Sequence, residues 1–253
     1  MIWLLLLLGL VQGITEFLPV SSSGHLTLLS GILGKFTEAQ TLSAELAVHV
    51  GSSLAVILIY RKKILSMLQK GNRKYIVYLI LASIPAGLVG VLFHAQMEGL
   101  FGGGSVGFGF LATAILLWIT QKTAQSQKGG ELSLKTALSM GLMQAVAVIP
   151  GLSRSGSTVF GGTLSGGKRE EIADFSFLMS VPVILGGAVY QCLFHGGGGL
   201  SFSLLGIGAL SAFFASFVAL RLMKRVIARA RYTGFIVYLT ALGIATLLFQ
   251  FVI

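Results

Sequence analysis

Six stretches of the chain are each about as long and as apolar as a helix that crosses a lipid bilayer. Spanning the hydrocarbon core takes about 20 apolar residues in helical form. Runs of roughly that length lie at 41–60, 75–94, 105–121, 171–194, 201–220 and 232–252. The composition agrees, because 55% of the 253 residues are hydrophobic and only 10% are charged. We therefore predict an all-α polytopic membrane protein with a single domain over residues 1–253.

Two further apolar segments, 2–33 and 134–166, are interrupted near the middle by a proline and a cluster of serine and glycine. The first contains VQGITEFLPVSSSGHL, starting at Val11, and the second contains MQAVAVIPGLSRSGSTV, starting at Met143. Each half is too short to cross the bilayer. Irregular backbone at membrane depth is tolerated only where protein or a water-filled cavity satisfies its polar groups. We therefore predict two re-entrant helical hairpins that enclose a cavity.

The basic residues lie in the short segments between apolar runs, as the positive-inside rule describes. They are Arg61, Lys62, Lys63, Lys70, Arg73 and Lys74; Lys122, Lys128 and Lys135; Lys168 and Arg169; and Arg221, Lys224, Arg225, Arg229 and Arg231. These segments are predicted to be cytoplasmic, and 95–104 and 195–200, which lack Lys and Arg and contain glycine runs, are predicted to be flexible outer turns. The net charge of +10 is explained by this orientation and does not indicate a nucleic-acid partner.

The two hairpin segments resemble each other, which predicts an internal duplication. Gly9-Leu10-x-Gln12 matches Gly141-Leu142-x-Gln144, and Ser21-x-Ser23-Gly24 matches Ser153-x-Ser155-Gly156 at the same offset. The predicted topology makes the hairpins enter from opposite faces, so the repeat is inverted, with copies over about 1–121 and about 134–253. Inverted repeats with broken helices usually bring both halves to one binding site.

Gln12 and Glu16 are four residues apart, so they share one face of a helix just before Pro19. An ionisable group inside a membrane segment is costly and faces a partner or a cavity, which makes Glu16 a candidate functional residue. The alternative interpretation is a structural ion pair or an interfacial carboxylate. A divalent cation, Mg²⁺ or Ca²⁺, that bridges Glu16 and a substrate pyrophosphate is a further expectation, although one carboxylate alone is a poor metal site.

His25 follows the serine cluster 21–23 and begins the second half of the first hairpin. Imidazole exchanges a proton near neutral pH and can attack phosphorus, so His25 is a candidate base or nucleophile. The alternative is a packing residue. The other histidines, His49, His94 and His195, lack such neighbours and are predicted to be packing residues.

Arg154 lies in the middle of the second hairpin, where its charge needs an anionic partner. The planar guanidinium suits phosphate oxygens, and nearby hydroxyls with backbone N–H groups at a helix start can complete an anion cradle. Those hydroxyls belong to Ser153, Ser155, Ser157 and Thr158. The alternative is a bridge from Arg154 to Glu16 that only joins the two repeats. Together with the carboxylate and the imidazole, these groups fit hydrolysis of a phosphoanhydride.

At these residues the chain resembles the undecaprenyl pyrophosphate phosphatase family, which is known for bacitracin resistance. The first family pattern, an acid or Gln ahead of an acid-Phe-Leu-Pro stretch and then Ser-Ser-x-Gly-His, runs here from Gln12 to His25. The second, Pro-Gly-x-Ser-Arg-Ser-x-x-Thr, runs from Pro150 to Thr158. The resemblance extends over nearly the whole length of the chain.

The resemblance implies an integral membrane hydrolase that removes the terminal phosphate of undecaprenyl diphosphate and so recycles the lipid carrier for cell-wall synthesis. The implied catalytic residues are Glu16, Ser22, His25 and Arg154, and the implied substrate-binding residues are Gln12, Ser21, Ser23, Ser153, Ser155 and Thr158. Gln12 departs from the members that have Glu at this position, which argues against a mechanism or a metal site that needs two carboxylates on this helix.

Three versions of the chemistry stay open at this point. His25 or Ser22 attacks the terminal phosphorus, or His25 activates water, with Glu16 orienting or relaying the proton. The alternative function is a transporter or flippase for a phosphorylated polyprenyl lipid, because inverted repeats with broken helices are typical of transporters. A structural or channel-like membrane protein is the third hypothesis.

The expected partners are the polyprenyl diphosphate, membrane lipids and a second copy of the chain in a homodimer. The expected location is the bacterial cytoplasmic (inner) membrane. Because the first hairpin is predicted to enter from outside, the site is expected to be accessible from the periplasmic or extracellular face.

Overall fold

The computed structural model describes residues 1–33, 37–69, 73–93, 105–126, 129–194 and 199–252, and helices make up most of these ranges. The helices are α1 (Ile2–Phe17), α2 (Ser22–Leu33), α3 (Glu38–Met67), α4 (Arg73–Leu92), α5 (Ser105–Ser126), α6 (Leu134–Val146), α7 (Arg154–Leu164), α8 (Arg169–Phe194), α9 (Phe202–Arg229) and α10 (Thr233–Val252). His94, His195 and most of the two predicted outer turns lie outside the described residues.

Within the described ranges, five helices are long and apolar enough to cross a membrane. They are Gln40–Met67, Arg73–Leu92, Ser105–Ala124, Arg169–Leu193 and Phe202–Arg229. These helices correspond to the first five predicted spans, so the prediction of an all-α multi-pass membrane protein is confirmed. The sixth predicted span is α10, which contributes the shorter apolar stretch Thr233–Phe249.

Both predicted hairpins consist of two short helices joined at a proline. The helices α1 and α2 of the first hairpin have 16 and 12 residues, and the helices α6 and α7 of the second have 13 and 11 residues. At about 1.5 Å per residue, even α1 covers only about 24 Å, which is less than the roughly 30 Å of the hydrocarbon core. The turns between these helices therefore lie inside the protein, with Pro19 and Pro150 both buried.

The contacts between helices are largely reciprocal between the two halves of the chain. Helix α1 packs most extensively on α9, and α6 packs on α4, so each hairpin lies against the fourth helix of the other half. Helix α3 packs on α8, and α5 packs on α10. This is the pattern that an internal duplication predicts, while the repeat boundaries and the opposed orientation stay predictions.

Glycines bring the hairpin backbones close to their neighbours. A Cβ atom on Gly13 would lie 2.4 Å from the carbonyl oxygen of Ala212, so α1 contacts α9 at a distance that only glycine permits. A Cβ on Gly24 would lie 2.6 Å from the ring of Phe110 and 3.2 Å from the Cα of Gly151. The turns of the two hairpins therefore lie close together.

An ionic cluster around Asp174 joins α3, α8 and α9 at the end that carries the basic residues. Both carboxylate oxygens of Asp174 are used: Lys63 Nζ donates to Oδ2 at 2.9 Å, and Lys224 Nζ lies 2.8 Å from Oδ1. The hydroxyl of Tyr60 also donates to Oδ1, at 2.9 Å. Because three helices contribute to one half-buried carboxylate, this cluster fixes their relative positions.

We expect Asp174→Asn to destabilise the protein by about 2 kcal/mol, because it removes the charge to which two lysines and a tyrosine are bonded. Thermal unfolding of purified protein in detergent measures this loss. Glu170→Gln, an exposed acid four residues earlier on α8, is the matched control and should unfold like wild type. Equal stability of both variants would show that the cluster does not hold the three helices.

Candidate active site

The turns of the two hairpins bring Glu16 and Arg154 into direct contact. Glu16 lies near the end of α1, and Arg154 is the first residue of α7. Arg154 Nη2 donates to Glu16 Oε1 at 2.5 Å, and the two side chains are only 15% and 6% exposed. The bridge between the repeats that the sequence left as an alternative is thus present. A buried pair of this kind compensates two charges that would each be costly alone.

The second oxygen of Glu16 accepts two more hydrogen bonds. Ser22 Oγ donates to Oε2 at 2.6 Å, and Gln12 Nε2 donates to the same oxygen at 3.0 Å. Ser22 is the first residue of α2, so the carboxylate at the end of one helix orients the hydroxyl at the start of the next. A hydroxyl bonded to a carboxylate that is itself held by a third group is the arrangement of an activated nucleophile.

A cavity of about 210 Å³ lies against this group. Its lining residues are Thr15, Glu16, Ser22, Ser23, His49, Ala86, Gln144, Ala147, Val148, Leu152, Ser153, Arg154, Val183 and Ile184. The lining thus includes five of the predicted site residues, drawn from both hairpins. The prediction that the broken helices enclose a cavity agrees with this arrangement.

Two polar groups at the cavity have no hydrogen-bond partner among the residues that the structure describes. Arg154 Nη1 is buried and makes no hydrogen bond there, although Nη2 holds Glu16. Gln144 is 2% exposed, and neither its amide oxygen nor its amide nitrogen has a partner. Buried polar groups left unpaired cost about 1–3 kcal/mol each, so both groups are suited to bind a polar ligand.

Sequence reasoning did not select Gln144 or His49 as site residues. Gln144 is the counterpart of Gln12 in the match between the hairpins, so that match was the signal that could have identified it. His49 was predicted to be a packing residue, yet it lines the cavity. Its sequence neighbours are apolar, and only the packing of α3 against the hairpins brings it there.

His25 does not line this cavity and has partners elsewhere. Its Nδ1 lies 2.7 Å from the carbonyl oxygen of Ser21, and its Nε2 lies 2.6 Å from the hydroxyl of Tyr238 on α10. Because a carbonyl oxygen only accepts, Nδ1 carries the hydrogen, and Nε2 of the neutral ring accepts from the tyrosine. The catalytic role of His25 stays a prediction, and it requires the Tyr238 bond to break.

Three predicted substrate-binding hydroxyls are already engaged in hydrogen bonds within the protein. Ser21 has a φ of 67°, in the left-handed region that serine rarely adopts, and its Oγ accepts from the N–H of Gly24. Ser155 Oγ donates to the carbonyl oxygen of Leu18 at 3.0 Å, which ties one turn to the other. Thr158 Oγ1 shares a hydrogen bond of 2.6 Å with Ser176 Oγ. Their substrate-binding roles stay predictions.

The donor set around Glu16 does not suit a metal held by the protein. No group of three or more His, Cys, Asp or Glu side chains that could hold a metal ion occurs within the described ranges. Both oxygens of Glu16 already accept from a guanidinium or from neutral donors. A divalent cation at this site would therefore depend on oxygens supplied by a ligand.

A larger apolar groove of about 780 Å³ adjoins the polar cavity. Most of its lining comes from α3, α4 and α8, and it shares His49, Ala86, Val148, Val183 and Ile184 with the cavity. A polar cavity joined to an apolar groove suits a ligand with a charged head and a long hydrocarbon tail.

The fold and this site define a multi-pass membrane protein in which two helical hairpins hold a carboxylate, a hydroxyl and a guanidinium beside a lipid-sized groove. That class is narrow, because charged groups at membrane depth are rare. The chain belongs to the bacitracin resistance protein BacA family, whose pattern matches residues 5–245.

Relatives named undecaprenyl-diphosphatase are similar to this chain over nearly its whole length. An undecaprenyl-diphosphatase of Christiangramia forsetii is 36% identical over 259 residues, which cover 97% of both chains. Undecaprenyl-diphosphatase 1 of Bacillus cereus is 37% identical over 262 residues, which cover 96% of both chains. An undecaprenyl-diphosphatase of Carboxydothermus hydrogenoformans is 34% identical over 252 residues, which cover 97% of this chain and 96% of the relative. The family resemblance inferred from the two motifs is confirmed.

Proposed function

We propose that this membrane protein is an enzyme that hydrolyses undecaprenyl diphosphate to undecaprenyl phosphate and inorganic phosphate. The observation that carries the proposal is the contact among Glu16, Ser22 and Arg154 in a cavity that opens onto an apolar groove. Membership of the BacA family and the names of its relatives support the same activity.

The polar cavity and the apolar groove bind different parts of the substrate in this proposal. The diphosphate enters the cavity of about 210 Å³, where Arg154 Nη1 and the amide of Gln144 supply unpaired polar groups. The isoprenoid chain lies in the groove of about 780 Å³, where apolar side chains and glycines of α4 and α8 form most of the lining. Binding energy from the tail then holds the terminal phosphorus near Ser22.

Ser22 is the nucleophile in this proposal. Its Oγ attacks the terminal phosphorus, its proton passes to Glu16 Oε2, and the bond from that phosphorus to the bridging oxygen breaks with the electron pair left on the lipid phosphate. Arg154 stabilises the charge that develops on the terminal phosphoryl oxygens. Water then attacks the phosphoserine and its proton passes to a phosphoryl oxygen, while Ser22 leaves with the proton that Glu16 held, so that Glu16 is again a carboxylate. The products are undecaprenyl phosphate and inorganic phosphate.

The proposal also includes the membrane face on which the site opens. We place the site towards the periplasmic or extracellular face of the bacterial cytoplasmic membrane, which the predicted entry of the first hairpin from the outside supports. A divalent cation brought with the diphosphate, and a homodimer, stay predictions.

Phosphate release from undecaprenyl diphosphate by the purified protein in detergent tests the proposed function. We expect release by wild type. Assays with and without a chelator show whether a divalent cation takes part. A parallel assay in vesicles measures movement of the lipid between leaflets, and lipid movement without phosphate release would favour the transporter instead.

Because the amide of Gln144 has no partner, we expect its replacement to stabilise the protein and to weaken substrate binding. Gln144→Met should raise the melting temperature of the ligand-free protein, because an apolar side chain of similar size removes a buried polar group that lacks partners. The same change should raise KM for undecaprenyl diphosphate about tenfold, because one hydrogen bond to a charged group is lost. Thermal unfolding and steady-state kinetics measure the two effects. A lower melting temperature with unchanged KM would mean that Gln144 is structural.

A further inference from the structure

His49 lies where the polar cavity and the apolar groove meet. Five residues line both spaces, namely His49, Ala86, Val148, Val183 and Ile184. Of these five, His49 alone has a polar side chain. A ligand that occupies both spaces passes this junction, so a polar group at the middle of that ligand lies near His49.

A polyprenyl diphosphate has a charged group at that position. Its inner phosphate lies between the terminal phosphate and the first carbon of the tail, and this inner phosphate becomes the leaving group. With the terminal phosphate beside Arg154 and the tail in the groove, the inner phosphate lies at the junction. We propose that His49 binds the inner phosphate and so acts as a second phosphate subsite, distinct from Arg154. This inference rests on the proposed function.

The hydrogen bonding of His49 leaves one ring nitrogen for such a ligand. Nδ1 lies 2.7 Å from the carbonyl oxygen of Glu45, one turn earlier on α3, and since a carbonyl only accepts, Nδ1 carries a hydrogen. Nε2 makes no hydrogen bond to another residue that the structure describes. The ring is therefore held in one orientation, as ligand-binding histidines are.

Either protonation state of Nε2 gives one bond to the inner phosphate. A protonated Nε2 donates to a phosphate oxygen, and an unprotonated Nε2 accepts from the hydroxyl of a hydrogen phosphate. When the bond between the terminal phosphorus and the bridging oxygen breaks, the electron pair stays on the inner phosphate. A hydrogen bond from His49 to that phosphate then stabilises the leaving group.

The competing explanation is that His49 only balances the carboxylates around it. His49 lies close enough to Glu16 and Glu45 to interact with both carboxylates electrostatically. Arg154 is the other positively charged partner of Glu16. In that case His49 would affect stability and every anion alike. A phosphate subsite instead distinguishes a lipid phosphate, which reaches the junction, from inorganic phosphate, which binds beside Arg154.

Ligand-induced shifts in melting temperature of the full-length protein separate these explanations, because a ligand stabilises the folded state according to its Kd. The probes are farnesyl phosphate and inorganic phosphate. We expect His49→Ala to weaken farnesyl phosphate about tenfold, the factor that one hydrogen bond to a charged group carries, and to leave the Kd of inorganic phosphate unchanged. His49→Gln, which keeps a polar group there, should recover most of the loss.

Ser52→Ala is the control on the same helix, because Ser52 is buried, bonds to the Val48 carbonyl and lines neither space. An equal weakening of both probes by His49→Ala, an unchanged Kd for farnesyl phosphate, or no binding of farnesyl phosphate to wild type would each overturn the proposal. Phosphate release by wild type is measured separately. Failure of that assay would count against the proposed function, while the binding comparison still decides whether a lipid phosphate contacts His49.

Discussion

Replacing Arg154 by methionine is expected to abolish phosphate release and to destabilise the protein at the same time. Arg154→Met leaves the Glu16 carboxylate buried with hydrogen bonds only from Ser22 and Gln12. A buried charge that loses its partner costs about 3–5 kcal/mol. Activity should fall by at least about 10²-fold, because the guanidinium that we propose to stabilise the transferring phosphoryl group is gone. Unfolding in detergent and the phosphate-release assay measure the two losses.

The double variant Glu16→Gln/Arg154→Met separates the loss of stability caused by Arg154→Met from its loss of activity. Glu16→Gln alone leaves the guanidinium without its counter-charge and should cost a similar free energy of unfolding. Combining it with Arg154→Met removes both charges, so we expect stability within about 1 kcal/mol of wild type while activity stays lost. Arg61→Met, at an exposed arginine, is the control. Additive destabilisation in the double variant would show that the two side chains do not form a coupled buried pair.

Replacing Ser22 by alanine should lower phosphate release about 10³-fold or more without a comparable loss of stability, because it removes the proposed nucleophile. Acid quenching of wild type with labelled undecaprenyl diphosphate should trap a phosphoserine, and mapping should place it at Ser22. Ser180→Ala, at a buried hydroxyl bonded to the carbonyl of Phe177, controls for loss of a serine and should retain activity. Absence of a trapped species together with activity in Ser22→Ala would mean direct attack by water.

The same experiment tests the role predicted for His25. If His25 attacked the terminal phosphorus itself or activated the attacking water, His25→Gln would lose at least as much activity as we expect for Ser22→Ala. The hydrogen bonds from His25 to Ser21 and Tyr238 lead us to expect a smaller loss for His25→Gln. Tyr238→Phe frees Nε2, so a rise in activity in that variant would return His25 to the catalytic set.

Much of the architecture was predictable because the bilayer limits what a chain can do. Apolar runs of membrane-spanning length identified the long helices α3, α4, α5, α8 and α9, since backbone polar groups in lipid must be satisfied within a helix. Proline followed by serine and glycine identified both hairpins. An acid and an arginine at membrane depth identified Glu16 and Arg154, because such charges are too costly to persist without a partner or a function.

The sequence around a histidine did not predict its role where that role depends on a residue distant in sequence. His25 has serines beside it in sequence, yet its ring stacks on Tyr238 with 5.8 Å between centroids, and the two residues are 213 positions apart. His49 has apolar neighbours and looked like a packing residue, yet the packing of α3 brings it to the cavity. Side-chain direction relative to a distant helix decided both cases.

The sequence by itself determined the membrane class, the two broken hairpins and the chemical types at the site, because hydrophobic length and the cost of buried charge act locally along the chain. Only the tertiary structure decided which groups meet. It paired Glu16 with both Ser22 and Arg154, turned His25 towards Tyr238, and left Gln144 unpaired at the cavity. The physical reason is that a hydrogen bond requires its donor and acceptor within about 3 Å, and the packing of the hairpins sets those distances.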